Sequence, residues 1–104
     1  MSKFSRDKGS REERAVVKYW RTQGMADDEC LRVPLSGASQ GFKGDVILRG
    51  YTGECKLRAN GFKNIYKWLG DNDFLTIRSD NNERLYVLKE STLANFFDKK
   101  GWLR

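Results

Sequence analysis

Lys43-Gly44-Asp45-Val46-Ile47-Leu48-Arg49-Gly50-Tyr51-Thr52-Gly53-Glu54-Cys55-Lys56-Leu57-Arg58 reads as two short strands joined by a tight turn. Asp45, Glu54 and Lys56 are the polar residues that interrupt its apolar alternation. With Gly50 and Tyr51 as a two-residue turn, glycine first as a type II′ turn prefers, Asp45 faces Lys56, Ile47 faces Glu54 and Val46 faces Cys55. One face then carries Asp45, Glu54 and Lys56, and the other carries Val46, Leu48, Cys55 and Leu57. Asp45 and Glu54 become diagonal neighbours with Cα atoms roughly 7 to 8 Å apart, close enough for both carboxylates to reach one ion. A turn at Arg49-Gly50 instead pairs Asp45 directly with Glu54 and keeps the same faces.

Upstream, the segment from Leu35 to Gly44 holds three glycines and two serines. It is either a plain connecting loop or a donor-rich backbone that approaches a phosphodiester closely. Cys30 to Val33 reads as a strand ended by Pro34. Ser10 followed by Glu13 gives a capping-box pattern ahead of Arg-Ala-Val-Val-Lys-Tyr-Trp, which predicts a first helix from Ser10 to about Gln23, stopped at Gly24. About 100° per residue puts Val16, Val17, Tyr19 and Trp20 on one broad face and Arg11, Arg14, Lys18 and Arg21 on the other. Glu13 lands on the apolar side. It either only closes the capping box or points inward for chemistry, with Glu12 as the acid if the helix is rotated. Residues 1–9, with Lys3, Arg6 and Lys8, read as a basic flexible arm ahead of a single domain over 10–104.

Downstream, Asn60 to Gly70 reads as a helix with Phe62, Ile65, Tyr66 and Leu69 on one face and Trp68 at its edge, which suits a subunit interface or ordinary core packing. Phe74 to Ser79 and Arg84 to Leu88 read as a hairpin, and a last helix from near Ser91 packs Leu93, Phe96 and Phe97. The order α-β-β-β-α-β-β-α implies an α/β (α+β mixed) fold with a central mixed sheet flanked by helices.

The totals are consistent with this. A chain of 104 residues supports one domain with a modest core, which a homodimer would help. Its 20 Lys+Arg against 14 Asp+Glu, a net +6, suit an acidic polymer as partner. Cys30 and Cys55, with no histidine, are too few for a structural zinc site and read as reduced core residues of a cytoplasmic protein. No apolar run approaches the ~20 residues of a membrane span, and the first residues are too polar for a signal peptide.

Phosphodiester hydrolysis needs a hydroxide near neutral pH and a counter-charge at the scissile phosphate, and carboxylate-bound Mg²⁺ serves both needs. A lysine two residues after a metal-binding glutamate leaves the strand on the same face, where it can orient water or offset developing charge. Asp45, Glu54 and Lys56 have that spacing, as would a solvated sheet face laced with cross-strand ion pairs.

The larger set is Lys8-Gly9-x-x-x-Glu13-Arg14, Arg32, Ser36-Gly37-Ala38, Lys43-Gly44-Asp45 and Glu54-Cys55-Lys56. In motif and order it resembles the archaeal-type Holliday junction resolvases, including their phage-encoded relatives, within the PD-(D/E)XK nuclease superfamily. The resemblance covers about the first two thirds of the chain and implies a restriction-endonuclease-like core. It makes Glu13, Asp45 and Glu54 the metal-binding acids and Lys56 the catalytic lysine, with Ser36 near the family's loop serine. Arg14 and Arg32 match the family's basic positions associated with DNA and activity. The basic stripe of helix one with Arg11, the N-terminal arm with Lys8, and Lys43 and Arg58 are the further cations expected to hold DNA phosphates. Implied with them are Mg²⁺, with Mn²⁺ able to substitute, and a homodimer through helix 60–70 and neighbouring aromatics. The implied activity is paired cutting of four-way DNA junctions in recombination and repair, in the host cytoplasm if phage-encoded. Flaps, nicks or duplex DNA as substrate, or a catalytically silent nucleic-acid-binding module, are the alternatives. The loop before Asp45 is longer than the family's and the connection from Asp45 to Glu54 is shorter.

Overall fold

The structure is a computed structural model that describes the backbone of residues 3–33 and 44–104 and the side chains of residues 9–33 and 44–104. Its elements are α1 (Lys3–Thr22), a 3-10 turn (Asp27–Glu29), β1 (Cys30–Arg32), β2 (Val46–Leu48), β3 (Tyr51–Gly53), α2 (Lys63–Leu69), β4 (Leu75–Ile77), β5 (Leu85–Val87) and α3 (Glu90–Lys99). The expected order of helices and strands is met, and the class is mixed α and β. The sheet differs from expectation: β1-β2-β3 and β4-β5 are separate, and every described pairing is antiparallel. The chain divides into two compact units, Met1–Leu57 with Trp102–Arg104, and Arg58–Gly101, each holding one sheet.

In the first unit α1 packs on β1 and β2. Glu13, Val17 and Trp20 fall at i, i+4 and i+7 on one stripe, and Val17 and Trp20 are buried with Met25, Cys30 and Val46. The Cys30 thiol donates to the Val17 carbonyl at 3.3 Å, which ties β1 to the middle of the helix. The helix begins at Lys3, not after Ser10, so the residues read as an arm are helical from residue 3 and Ser10 caps nothing. Once the buried stripe has formed the nucleus, each added residue gains a hydrogen bond, and this carries the helix through Gly9 despite a cost of about 1 kcal/mol.

The hairpin turn is Arg49-Gly50, one residue earlier than the glycine-first reading. Leu48 pairs with Tyr51, Ile47 with Thr52 and Val46 with Gly53. Both turn residues have left-handed φ, 50° and 87°, as a type I′ turn requires. Arg49 tolerates that conformation because its side chain is held on both sides. It pairs with Glu29 and lies over the Trp102 ring, 4.6 Å from the centroid, while its N–H donates to the Glu29 carbonyl at 2.7 Å. The pairing moves by two residues, which keeps the alternation within the paired stretch of Val46–Leu48 and Tyr51–Gly53.

In the second unit Leu69 and Ala94 are the buried apolar residues. Leu93, Ala94 and Phe97 form the inward stripe of α3, whereas Phe96, expected to pack, lies at its edge and is exposed.

Gly24, at φ +108°, ends α1 and receives the chain terminus, whose Arg104 N–H donates to the Gly24 carbonyl at 3.1 Å. An added Cβ would lie 2.5 Å from the Arg104 nitrogen. Gly24→Ala is expected to cost about 1–3 kcal/mol from left-handed strain and the clash together. Urea denaturation checks this, and an unchanged midpoint would mean that the C-terminal residues do not dock at Gly24.

Candidate nucleic-acid cleavage site

The described site residues come from α1, the end of β1 and the mouth of the β2-β3 hairpin. Glu13 points from α1 toward β1, where its Oε1 accepts from Arg32 Nε at 3.2 Å and Nη2 at 3.0 Å. Both side chains are partly buried, so this ion pair is less screened than a surface one. Glu13 thus faces inward as the helical spacing implies, and its partner is Arg32, a pairing that no local sequence signal announces.

Asp45 is fixed through its backbone and its side chain. Its N–H donates to the Gly53 carbonyl at 2.7 Å and its own carbonyl accepts from Val33 at 2.9 Å. Its Oδ2 accepts from the Cys55 backbone N–H at 2.8 Å. Gly44 permits this approach at φ +77°, since a Cβ there would lie 2.6 Å from the Gly53 oxygen. The Asp45 carboxylate takes a backbone donor that a continuing ladder would send to a carbonyl, and β3 accordingly stops at Gly53. Glu54 and Lys56 therefore lie beyond the strand, not on it as expected. They are exposed and paired with each other at 3.5 Å.

Cys55, half-buried between them, reports where the acids lie. Burial pushes its thiol up to about 11, and the negative charges of Asp45, Glu13, Glu12 and Glu54 push it in the same direction. Negative charge from a helix, at Glu13 and Glu12, and from the hairpin mouth, at Asp45 and Glu54, thus acts on one thiol. The acids do not close into a metal cage: among the described residues, no group of three Asp, Glu, Cys or His is placed to hold one ion. Each expected ligand is held by a nearer partner, Glu13 by Arg32, Asp45 by the Cys55 amide and Glu54 by Lys56. The donor set fits Mg²⁺ in kind, since it is all carboxylate oxygen and that ion is usually held by one or two carboxylates plus water and phosphate.

Beside the acids, between α1 and β1, is a groove of about 680 Å³ lined by Arg14, Val17, Lys18, Arg21, Thr22 and Arg32. Four of the six are cations. Lys18 and Arg21, on the basic face of the helix, make with Arg14 and Arg32 a basic channel over a Val17 floor. Arg21 also donates to the Cys30 carbonyl at 3.0 Å, which anchors that wall to β1. Arg32 lines the groove and binds Glu13, so it forms the border between the basic channel and the acidic cluster. Arg11 and Arg58 are exposed. Ser36 and Lys43 lie outside the described residues, as does the side chain of Lys8. Cys30 and Cys55 are both free thiols.

Thiol alkylation tests whether the acids gather as described. A thiol titrating near 11 instead of its ordinary value near 9 has roughly a hundredfold less thiolate at pH 8. Cys55 should therefore react with iodoacetamide at least that much more slowly than a cysteine in an unfolded peptide, as followed by peptide mass mapping. Asp45→Asn or Glu13→Gln should accelerate it, and peptide-like reactivity in the native protein would mean that the acids are dispersed.

No family model, curated protein or solved structure matches this chain significantly.

Proposed function

We propose that this chain is a Mg²⁺-dependent endodeoxyribonuclease of the PD-(D/E)XK type, with a restriction-endonuclease-like core. Its substrate is branched DNA, with the four-way junction foremost, and it cuts as a homodimer. The observation that carries the reading is the Glu13–Arg32 ion pair, which sets an inward-facing acid of α1 at the edge of the four-cation groove. A phosphodiester backbone held by Arg14, Lys18, Arg21 and Arg32 runs past carboxylates that would otherwise repel it. A groove built only for binding gains nothing from acids at that position.

Asp45 and Glu54, with Glu13, are the residues that would hold Mg²⁺, which when bound supplies positive charge at the scissile phosphate and a more acidic water. Lys56, two residues after Glu54, offsets charge developing on the phosphate or orients the attacking water. Arg32 neutralises Glu13 while the groove is empty. Exposed Tyr66 and Trp68 on α2 offer apolar surface for a second copy of the chain.

One observation favours the silent binding module: Glu13, Asp45 and Glu54 each already have a protein partner. Cleavage of a synthetic four-way junction separates the two readings. The wild-type chain should cut it with Mg²⁺ or Mn²⁺ and not with EDTA, and Asp45→Asn and Glu54→Gln should each lose at least about a hundredfold in rate. Variants that cut as well as wild type would remove the site assignment, and steep salt-dependent binding without cleavage of any DNA would favour the module. An excess of linear duplex should compete poorly if the junction is the preferred substrate.

The groove makes its own demand on binding. With Ca²⁺ in place of Mg²⁺, Arg14→Ala and Lys18→Ala should each lower the slope of log K against log salt for junction binding by about one, as expected for the loss of one phosphate contact. Slopes equal to wild type would place the DNA elsewhere on the protein.

A further inference from the structure

The two-stranded sheet of the second unit has two unlike faces. Leu75 pairs with Val87, Thr76 with Tyr86 and Ile77 with Leu85. Alternation along the strands puts Leu75, Ile77 and Val87, part-buried, on one face together with Leu85, which is exposed. The opposite face carries Phe74, Thr76 and Tyr86, and extending the register one step past the ladder sets Arg78 opposite Arg84. All five of these residues are exposed.

Two features distinguish this face from ordinary surface. Phe74 and Tyr86 are 55% and 61% exposed. Their rings lie 5.8 Å apart at 44°, so they hold each other in place without covering each other. Arg78 and Arg84, which flank the ladder at its turn end, are like charges that the extended register sets opposite each other, where like charges repel. Neither forms an ion pair among the described residues, where the ion pairs are Arg21–Asp27, Arg32–Glu13, Arg49–Glu29 and Lys56–Glu54. The face therefore presents two open aromatic rings beside two uncompensated cations.

We propose that this face is a docking platform for single-stranded nucleic acid, with unstacked bases on Phe74 and Tyr86 and the flanking phosphates at Arg78 and Arg84. The paired arginines select a polyanion. The open rings select one whose bases are free to stack, which a duplex is not, because its bases already stack on one another. An acidic peptide would satisfy the arginines and leave the rings exposed. The platform uses only residues of the second unit and no metal, so it stands or falls separately from the nuclease reading.

The test uses the full chain in EDTA at low salt, with fluorescein-labelled oligothymidylate and oligouridylate followed by anisotropy. Phe74→Leu and Tyr86→Leu keep an apolar side chain and remove the ring, and each should weaken binding of one or both probes by about fivefold to a hundredfold. Tyr86→Phe keeps the ring and should bind within about twofold of wild type. Arg78→Ala and Arg84→Ala should each weaken binding and lower the salt slope by about 0.7. Circular dichroism matching wild type guards against unfolding, as does the Tyr86→Phe result.

Leucine variants that bind like wild type would overturn the proposal, because the strand would then be held elsewhere. So would sedimentation showing a self-associated wild type that Tyr86→Leu disperses, with no single-strand binding; the face would then join copies of the chain. Junction cleavage retained by a Tyr86→Leu chain that has lost oligothymidylate binding would show that the two sites are distinct.

Discussion

The first unit depends on the burial of one helix stripe against a very small sheet. Val17 and Trp20 of α1 are buried along with Cys30 of β1 and Val46 of β2, and Met25 completes the set. Each such side chain contributes on the order of 1.5–3 kcal/mol, and with so few of them no contact is redundant. Glu13 sits one turn before Val17 on the same stripe, so the packing that stabilises the unit also carries this acid to β1. The Cys30 thiol on the Val17 carbonyl fixes the height of the helix over the strand. Arg32, two residues further along β1, meets Glu13 as a result.

The same constraint explains how acids can gather in a chain of net positive charge. Like charges on one surface repel, and they stay together only where other interactions hold them. Asp45 is held by backbone bonds to Val33 and Gly53 and by the Cys55 amide, and Glu13 by the helix stripe and Arg32. The Cys55 thiol resists ionisation first because it is partly buried and then because a thiolate would add to the negative charge of these acids. Next to it the same helix presents Arg14, Lys18 and Arg21 to the groove. One helix therefore borders two surfaces of opposite sign.

In the second unit the strands are three residues long and much of the aromatic surface stays outside. Tyr66, Trp68, Phe74, Tyr86 and Phe96 are all exposed, against Leu69 and Ala94 as the buried apolar residues.

The sequence by itself determined the order of the elements, the apolar stripe of α1, the inward direction of Glu13, and the alternation within the short paired stretch of the hairpin. These are local properties, set by periods of 3.6 and 2 that a reader can count, and that alternation survived the wrong turn because a shift of two residues leaves parity intact. Only the tertiary structure decided the turn itself, because Arg49 adopts a left-handed conformation for the sake of Glu29 and Trp102, which lie 20 residues before it and near the chain terminus. It also decided that β3 ends at Gly53, that the strands form two sheets, and that Glu13 belongs to Arg32 rather than to a cap. It also brought Arg32 of β1 beside the basic face of the helix to make the groove. In each case the deciding partner is distant in sequence, and the free energy of a long-range contact leaves no periodic trace in the chain that makes it.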